Sequence, residues 1–433
     1  MFGQMGQGQV KMVILFLMGA FILIFQGREF LLSVSTLEEA IPEAAWPNTC
    51  VDGVKSVEEP YTPDYQLRDQ VIDLEGVRYA AYQWDGQITR KDFDECIHTH
   101  TPRIQFKILD SKLYVKASNL EWKHSYAENR YIKIIEPLLM AIHMYRIPDM
   151  DFWVDLSDTL ECNHPVFTYS LNTECEQGGF TVPSYGAYGV SRGRKQLDYV
   201  YECLDAHHPY DARIPKGVWR GSTTGSVLTK DNYMENRRVR LSLLARNRTD
   251  IMDVGLYTYV QADAEAVEKL KEVVPIVPSI PMEHYNNYTM ILDLDGNGWS
   301  DRFTKLVTYN TPMFKQISIF QEYFAHLMQP GVHIEMFDES LVDLVPRLEE
   351  LLKEYRSSPR RLREMANAMH EFAKEHGGHL GLIRAVAYGL NVYASKLTWK
   401  TELESGFVEV EKSKCCEKNP TFPAQFIHDV STS

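Results

Sequence analysis

The chain opens on an apolar run, Met12 to Phe25 (MVILFLMGAFILIF), without a charged or strongly polar residue. Extended through Val10 and through Phe30 to Leu32, with Lys11 on its cytoplasmic side, it predicts a short transmembrane signal anchor with the bulk of the chain lumenal. Uniform apolarity argues against a buried core helix, and Arg28, Glu29 and Phe30 stand where a cleavage site would need small residues. After a stem with poor periodicity the pattern alternates. Arg103 to Leu109 reads as a strand, Asp110-Ser111 as a turn, and Lys112 to Val115 as the returning strand. Glu128 to Tyr145 carries one apolar face and predicts a helix; Phe152 to Val154 is a short buried strand ending before Asp158. Glu161 to Tyr210 reads as loop-rich.

A second alternation begins at the strand Gly217 to Arg220, which runs into the turn Gly221 to Gly225. A helix follows from about Asn232 to Arg246. Further strands are expected at Val273 to Val277, Tyr288 to Leu294, Met313 to Lys315 and Val332 to Ile334. Helices are expected at Phe303 to Thr308, Ser340 to Tyr355, Pro359 to Glu375 and Leu380 to Leu397. Strands alternating with helices in two halves predict an α/β fold with two Rossmann-like lobes facing a cleft. One doubly wound domain with a helical appendage is the alternative. The expected division is a tail over 1–11, the membrane segment over 12–32, a stem over 33–63, lobes over 64–210 and 211–400, and a tail over 401–433.

Composition narrows the class. Lys and Arg number 45 against 59 Asp and Glu, a net charge of −14, which excludes a general nucleic-acid binder. Aromatics at 12% exclude extensive disorder. Cys50, Cys96, Cys162, Cys175, Cys203, Cys415 and Cys416 suit an oxidising compartment, with Cys162–Cys175 as a plausible local loop closure and the other pairings open. Asn247 and Asn287 head glycosylation sequons. The final residues Asp429 to Ser433 are no KDEL-type signal, which favours the Golgi over the endoplasmic reticulum.

Three constellations can carry chemistry. Arg220 to Gly225 (RGSTTG) joins a strand to a helix with glycine and hydroxyl groups, so backbone N–H groups can approach a phosphate; no Walker lysine follows. Taken alone it is equally an ordinary connection. Arg237, Arg238, Arg240, Arg246 and Arg248 follow, a run that is usually a solvated face but here can supply an arginine to a pyrophosphate. The segment Leu292 to Arg302 (LDLDGNGWSDR) offers a second phosphate-approach turn ending on Arg302. Its Asp293 and Asp295 also form a DxD pair, a candidate metal site, while Thr304 stands where an EF-hand requires glutamate. Finally Asp149, Asp151, Asp155 and Asp158 crowd the end of a strand, where open α/β sheets place ligands; Asp158, beyond that end, is the candidate general base.

The segments Arg130 to Asp158, Val218 to Ser222 (VWRGS), Tyr288 to Lys305 (YTMILDLDGNGWSDRFTK) and Val332 to Ile334 with its following helices resemble the capsule-associated-protein and protein O-glucosyltransferase (Rumi-type) family, glycosyltransferase family 90. The resemblance spans roughly Arg103 to Leu397. It implies a metal-independent, inverting transferase of GT-B type moving glucose or xylose from a UDP-sugar, without a resident cofactor. It puts the base on Asp158 and the donor contacts on Ser222, Arg238 (Arg240 if the register slips), Gly296, Asn297, Gly298, Trp299, Ser300 and Arg302. It makes 64–210 the acceptor-side lobe and 211–400 the donor-side lobe. Glu174 to Tyr188 departs from the region that holds protein acceptors in these relatives, which shifts the expected acceptor toward a glycan. The expected setting is a single-pass Golgi or endoplasmic-reticulum membrane protein with a glycan or secretory protein as acceptor and no nucleic acid. The rival function is a silent, glycan- or protein-binding relative; intact Asp158, Ser222, Arg238 and Arg302 favour the enzyme.

Overall fold

The computed structural model describes residues 50, 71–98, 101–120, 125–158, 161–188 and 193–410, together with three strands near the start. Residues 1–48 form a compact unit of their own. Within it β1 (Ile14–Leu17), β2 (Ala20–Phe25) and β3 (Arg28–Ser33) pair antiparallel in the order β1-β2-β3. A membrane-spanning helix is expected over 12–32; its described residues are these strands, and among the described residues no helix is long and apolar enough to cross a membrane.

Residues 49–433 form the second unit, built on two sheets. The first contains β4 (Arg103–Leu109), β5 (Lys112–Lys116), β6 (Met150–Asp155), β7 (Phe167–Thr168), β9 (Phe180–Thr181) and β16 (Phe407–Glu409), in the order β16-β5-β4-β6-β7-β9. Its pairings from β16 to β6 are antiparallel and those beyond are parallel. The sheet is therefore mixed, not the Rossmann-like one expected, because β4 returns directly through the tight turn at Asp110 and Ser111. Both turn residues have positive φ (48° and 60°), so no crossover helix intervenes.

Helices α1 (Arg90–Glu95), α2 (Ser125–Met144), α3 (Tyr185–Tyr188) and α4 (Arg194–His207) accompany this sheet. Of the expected apolar face of α2, Ile134, Ile135, Leu138 and Ile142 are buried and Ile132 and Leu139 half-buried. The region read as loop-rich contains α4, whose Lys, Gln, Asp and Glu residues mask its narrower apolar stripe of Leu197, Val200 and Leu204.

The second sheet is wholly parallel, in the order β11-β10-β12-β13-β15: β10 (Ile214–Ser222), β11 (Met252–Thr258), β12 (Tyr288–Asp293), β13 (Met313–Gln316) and β15 (Glu335–Phe337). Val273 to Val277 is no strand, since Pro275 lacks the N–H a ladder needs. The strand lies upstream at β11, an edge position that tolerates Asp253 and Gly255. A short pair, β8 (Leu171–Asn172) with β14 (Phe320–Gln321), joins segments from either side of the expected lobe boundary.

Helices α5 (Arg237–Arg246), α6 (Ala264–Val273), α7 (Phe303–Leu306), α8 (Leu344–Ser357), α9 (Arg360–Phe372) and α10 (His379–Lys396) complete the unit. The last packs back on α2. Among the described residues two disulfides occur, Cys162–Cys175 as expected and Cys50–Cys203, which pins residue 50 of the expected stem to α4. Cys96 is buried with its thiol pushed up to about 12 by burial. Cys415 and Cys416 lie outside the described residues.

Candidate active site

Among the clustered aspartates, the register of β4 against β6 sorts structural from available carboxylates. Asp151 lies opposite Lys107 and Asp155 opposite Arg103, so each is matched with a cation across the ladder. The Asp155 pair closes at 2.9 Å; Asp151 pairs with Lys107 and also accepts from Trp399 Nε1 at 2.8 Å. Their side chains are 0% and 1% exposed, whereas that of Asp158 is 37% exposed. Asp149 caps the turn by accepting from the Asp110 N–H. Only Asp158 of the four is both open to solvent and beyond the strand end.

Arg130 of α2 orients Asp158, donating from Nη2 to Oδ1 at 2.7 Å. The guanidinium is itself fixed against the rings of Tyr126 and Tyr185, 4.6 and 4.3 Å from their centroids, and donates to the Leu156 carbonyl. No sequence pattern links positions 130 and 158; the pairing exists because α2 folds back along the sheet.

The two glycine-rich turns lie at the carboxyl ends of adjacent parallel strands, β10 and β12, so they meet. Gly225, at φ +125°, donates its N–H to Asn297 Oδ1 at 3.0 Å. Arg238, 7% exposed, stitches the turns together: Nε donates to the Asp295 carbonyl (2.9 Å), Nη1 to the Ser222 carbonyl (3.2 Å) and Thr224 Oγ1 (2.6 Å), and Nη2 to the Leu294 carbonyl (3.2 Å). Arg240 instead reaches the Ser340 carbonyl on the surface, so Arg238 is the arginine that faces the turns. The N-terminus of α5 is capped by Asn236, whose oxygen accepts from the N–H groups of Arg238 and Val239.

Trp219 is fully buried, with the guanidinium carbons of Arg238 and Arg302 at 5.6 and 5.5 Å from its ring centroid. Burial, and then the charge of Arg302, hold Arg238 down to about 10. Arg302 donates through Nη1 to the Arg220 carbonyl, and its buried Nη2 has no protein partner. Two like charges gathered beside two turns, one with an unanswered donor, make a place for an anion.

Gly298 brings the backbone of Asp158 to these turns: a Cβ at 298 would lie 2.2 Å from the Asp158 carbonyl oxygen. The backbones touch only because position 298 has no side chain. Trp299 continues the contact, its ring 5.7 Å from that of Tyr169, which in turn meets Tyr185. Gly296 lies against Thr224, with a Cβ there 3.1 Å from its hydroxyl.

Other expected site groups serve the scaffold. The Ser300 hydroxyl donates to Asp293 at 2.5 Å, and Lys315 Nζ bridges Asp293 (2.8 Å) and Asp295 (3.3 Å). An ammonium thus holds the place a metal would take between the DxD carboxylates. Sequence reading missed Arg130, Trp219 and Lys315; of these only Trp219 carried a signal, its place beside the Arg-Gly-Ser turn.

Strand ends of an open α/β sheet are where such folds place ligands, and both glycine-rich turns lie there. The chain is a member of glycosyl transferase family 90, whose family profile matches residues 79–430. It is similar to protein O-glucosyltransferase 2 of Danio rerio, 26% identical over 249 residues that make up 55% of this chain and 46% of the relative. The alignment thus spans about half the length of that relative.

Proposed function

We propose that this glycosyltransferase is an inverting, metal-independent enzyme that moves glucose or xylose from a UDP-sugar to a hydroxyl of a glycan or secretory protein. The observation that carries the reading is the backbone contact of Gly298 with Asp158, the residue that bears the part-exposed carboxylate, next to the turns that Arg238 and Arg302 bind. Asp158 takes the proton of the acceptor hydroxyl as that oxygen attacks the anomeric carbon. The bond to UDP breaks on the opposite face, and charge grows on the diphosphate next to Arg302 and Arg238. Arg130 holds one carboxylate oxygen, leaving the other to the acceptor. Lys315 between Asp293 and Asp295 supports chemistry without a DxD-bound metal. Two disulfides and the similarity to an O-glucosyltransferase support a setting in the secretory lumen, Golgi or endoplasmic reticulum, with the apolar N-terminal run as a single-pass anchor.

The test is UDP release and sugar transfer by the purified chain over a panel of UDP-sugars, with and without EDTA. One donor, unaffected by EDTA, is expected. Asp158→Asn should abolish transfer while UDP still binds. Arg302→Ala should weaken both, with a barrier increase of about 3 kcal/mol, roughly a hundredfold in rate. Normal turnover by Asp158→Asn would refute the base assignment, and a folded chain that neither releases nor binds UDP would favour a silent binder.

A further inference from the structure

The two glycosylation sequons meet opposite fates in the fold. Asn287-Tyr288-Thr289 runs into β12, the central strand of the parallel sheet, where Tyr288 is 1% and Thr289 0% exposed. The Thr289 hydroxyl donates to the Ile214 carbonyl at 3.0 Å, and the Asn287 side chain is hydrogen-bonded to His208. The amide and the hydroxyl that define this sequon are both engaged inside the folded chain.

Asn247-Arg248-Thr249 lies at the other extreme. Asn247 is the C-cap of α5, and its N–H turns back to the carbonyls of Leu244 and Ala245. A tight turn then feeds β11, with the N–H groups of Ile251 and Met252 donating to the Arg248 carbonyl at 3.1 and 2.9 Å. Asn247 and Thr249 are both exposed, and among the described residues neither side chain has a hydrogen-bond partner. Arg248 between them pairs with Asp250 at 3.0 Å and Glu349 at 2.5 Å, so the surroundings are charged and solvated. A bulky hydrophilic adduct there displaces nothing packed. The turn stands at the start of β11, whereas the glycine-rich turns follow the ends of strands parallel to it. The seven residues of β11, at about 3.3 Å each, put roughly 20 Å between those two ends of the sheet.

We propose that Asn247 carries an N-linked oligosaccharide in the folded chain and that Asn287 stays bare. The inference rests on the lumenal reading above and adds a modified position to it. The donor is the lipid-linked oligosaccharide diphosphate of that lumen. Asn247 Nδ2 bonds to the anomeric carbon and gives up one proton. The bond from that carbon to the diphosphate breaks, and the lipid diphosphate departs with the electron pair. Transfer meets the chain as it enters the lumen, when both sequons are open, and folding then separates them. A glycan on Asn287 crowds the entry of the central strand, between the buried Asn286 and Tyr288, so chains carrying one are lost from the folded pool. At Asn247 the amide and the hydroxyl stay in water throughout.

The full chain, expressed through the secretory pathway of cultured cells and purified folded, is treated with peptide N-glycosidase. Peptide mapping then reads each asparagine converted to aspartate. One conversion is expected, at Asn247. Asn247→Gln and Thr249→Ala should each remove the whole mobility shift, and Asn287→Gln should leave it in place. Sugar transfer by Asn247→Gln should keep its rate, because the glycan stands at the far end of the sheet. A folded chain with Asn247 unmodified, or one with a glycan on Asn287, overturns the proposal. A spacer carrying Asn-Ala-Thr appended after Ser433 separates that failure from failure of the lumenal reading. If the appended asparagine is modified and Asn247 is not, the inference alone falls. If neither is modified, the lumenal reading falls and takes this inference with it.

Discussion

Lys315 and Glu322 sit within reach of the same two aspartates and meet opposite fates. The ammonium of Lys315 holds Asp293 and Asp295 together in the interior. Neither oxygen of Glu322 has a protein partner, and burial pushes its carboxyl well above the ordinary range, which favours the neutral acid. Removing one partner of a buried ion pair strands the other, at a cost of about 3–5 kcal/mol. Lys315→Met should lower unfolding stability by that amount. Glu322→Gln, which puts a neutral amide of the same shape where burial disfavours the charged carboxylate, should change it by under about 1 kcal/mol. Urea denaturation of both variants reads the contrast, and equal losses would mean that Glu322 carries charge in the folded chain.

Among the elements, those with one strong period were legible. The helix expected at Glu128 to Tyr145 is α2, with apolar residues at helical spacing, and the strand expected at Tyr288 to Leu294 is β12, a short apolar run buried at every position as a central parallel strand is. The strand β11 escaped because Asp253 and Gly255 interrupt its apolar run, and an edge strand has no second neighbour to demand otherwise. At the site, both glycine-rich turns and Asp158 were legible as local motifs. That Arg238 joins the two turns was not, since the bonded groups are separated by 56 and 57 residues along the chain for Leu294 and Asp295. Four donor contacts to two turns exceed what one ammonium can reproduce. Arg238→Lys should therefore lower melting temperature and UDP affinity together. Weaker UDP binding at an unchanged melting temperature would show that the turns keep their places without this arginine.

For the molecule as a whole, pH acts through buried imidazoles. Burial holds His208 and His376 down to about 4, against an ordinary value of 6.5. Between those limits the unfolded chain binds protons that the folded chain refuses, so stability falls as pH drops from about 6.5 toward 4 and levels off below. Glu322 works in the opposite sense, losing stability as pH climbs above its ordinary value. Chemical denaturation across that acid window should show the slope, and a His208→Gln, His376→Gln variant should flatten it. An unaltered slope would assign the acid sensitivity to other groups.

The edge of the first sheet has a temporal meaning. Strand β16 pairs Phe407, Val408 and Glu409 with Lys116, Val115 and Tyr114, while Trp399 and Thr401 supply donors to the buried Asp151. A ribosome makes residues 103–181 long before these partners exist. Until then the nascent sheet has an open flank, a buried carboxylate short of donors and no α10 over α2. Completion of the first sheet therefore waits on residues 399–409, and the growing chain has to be kept from pairing its bare edge with a neighbour's.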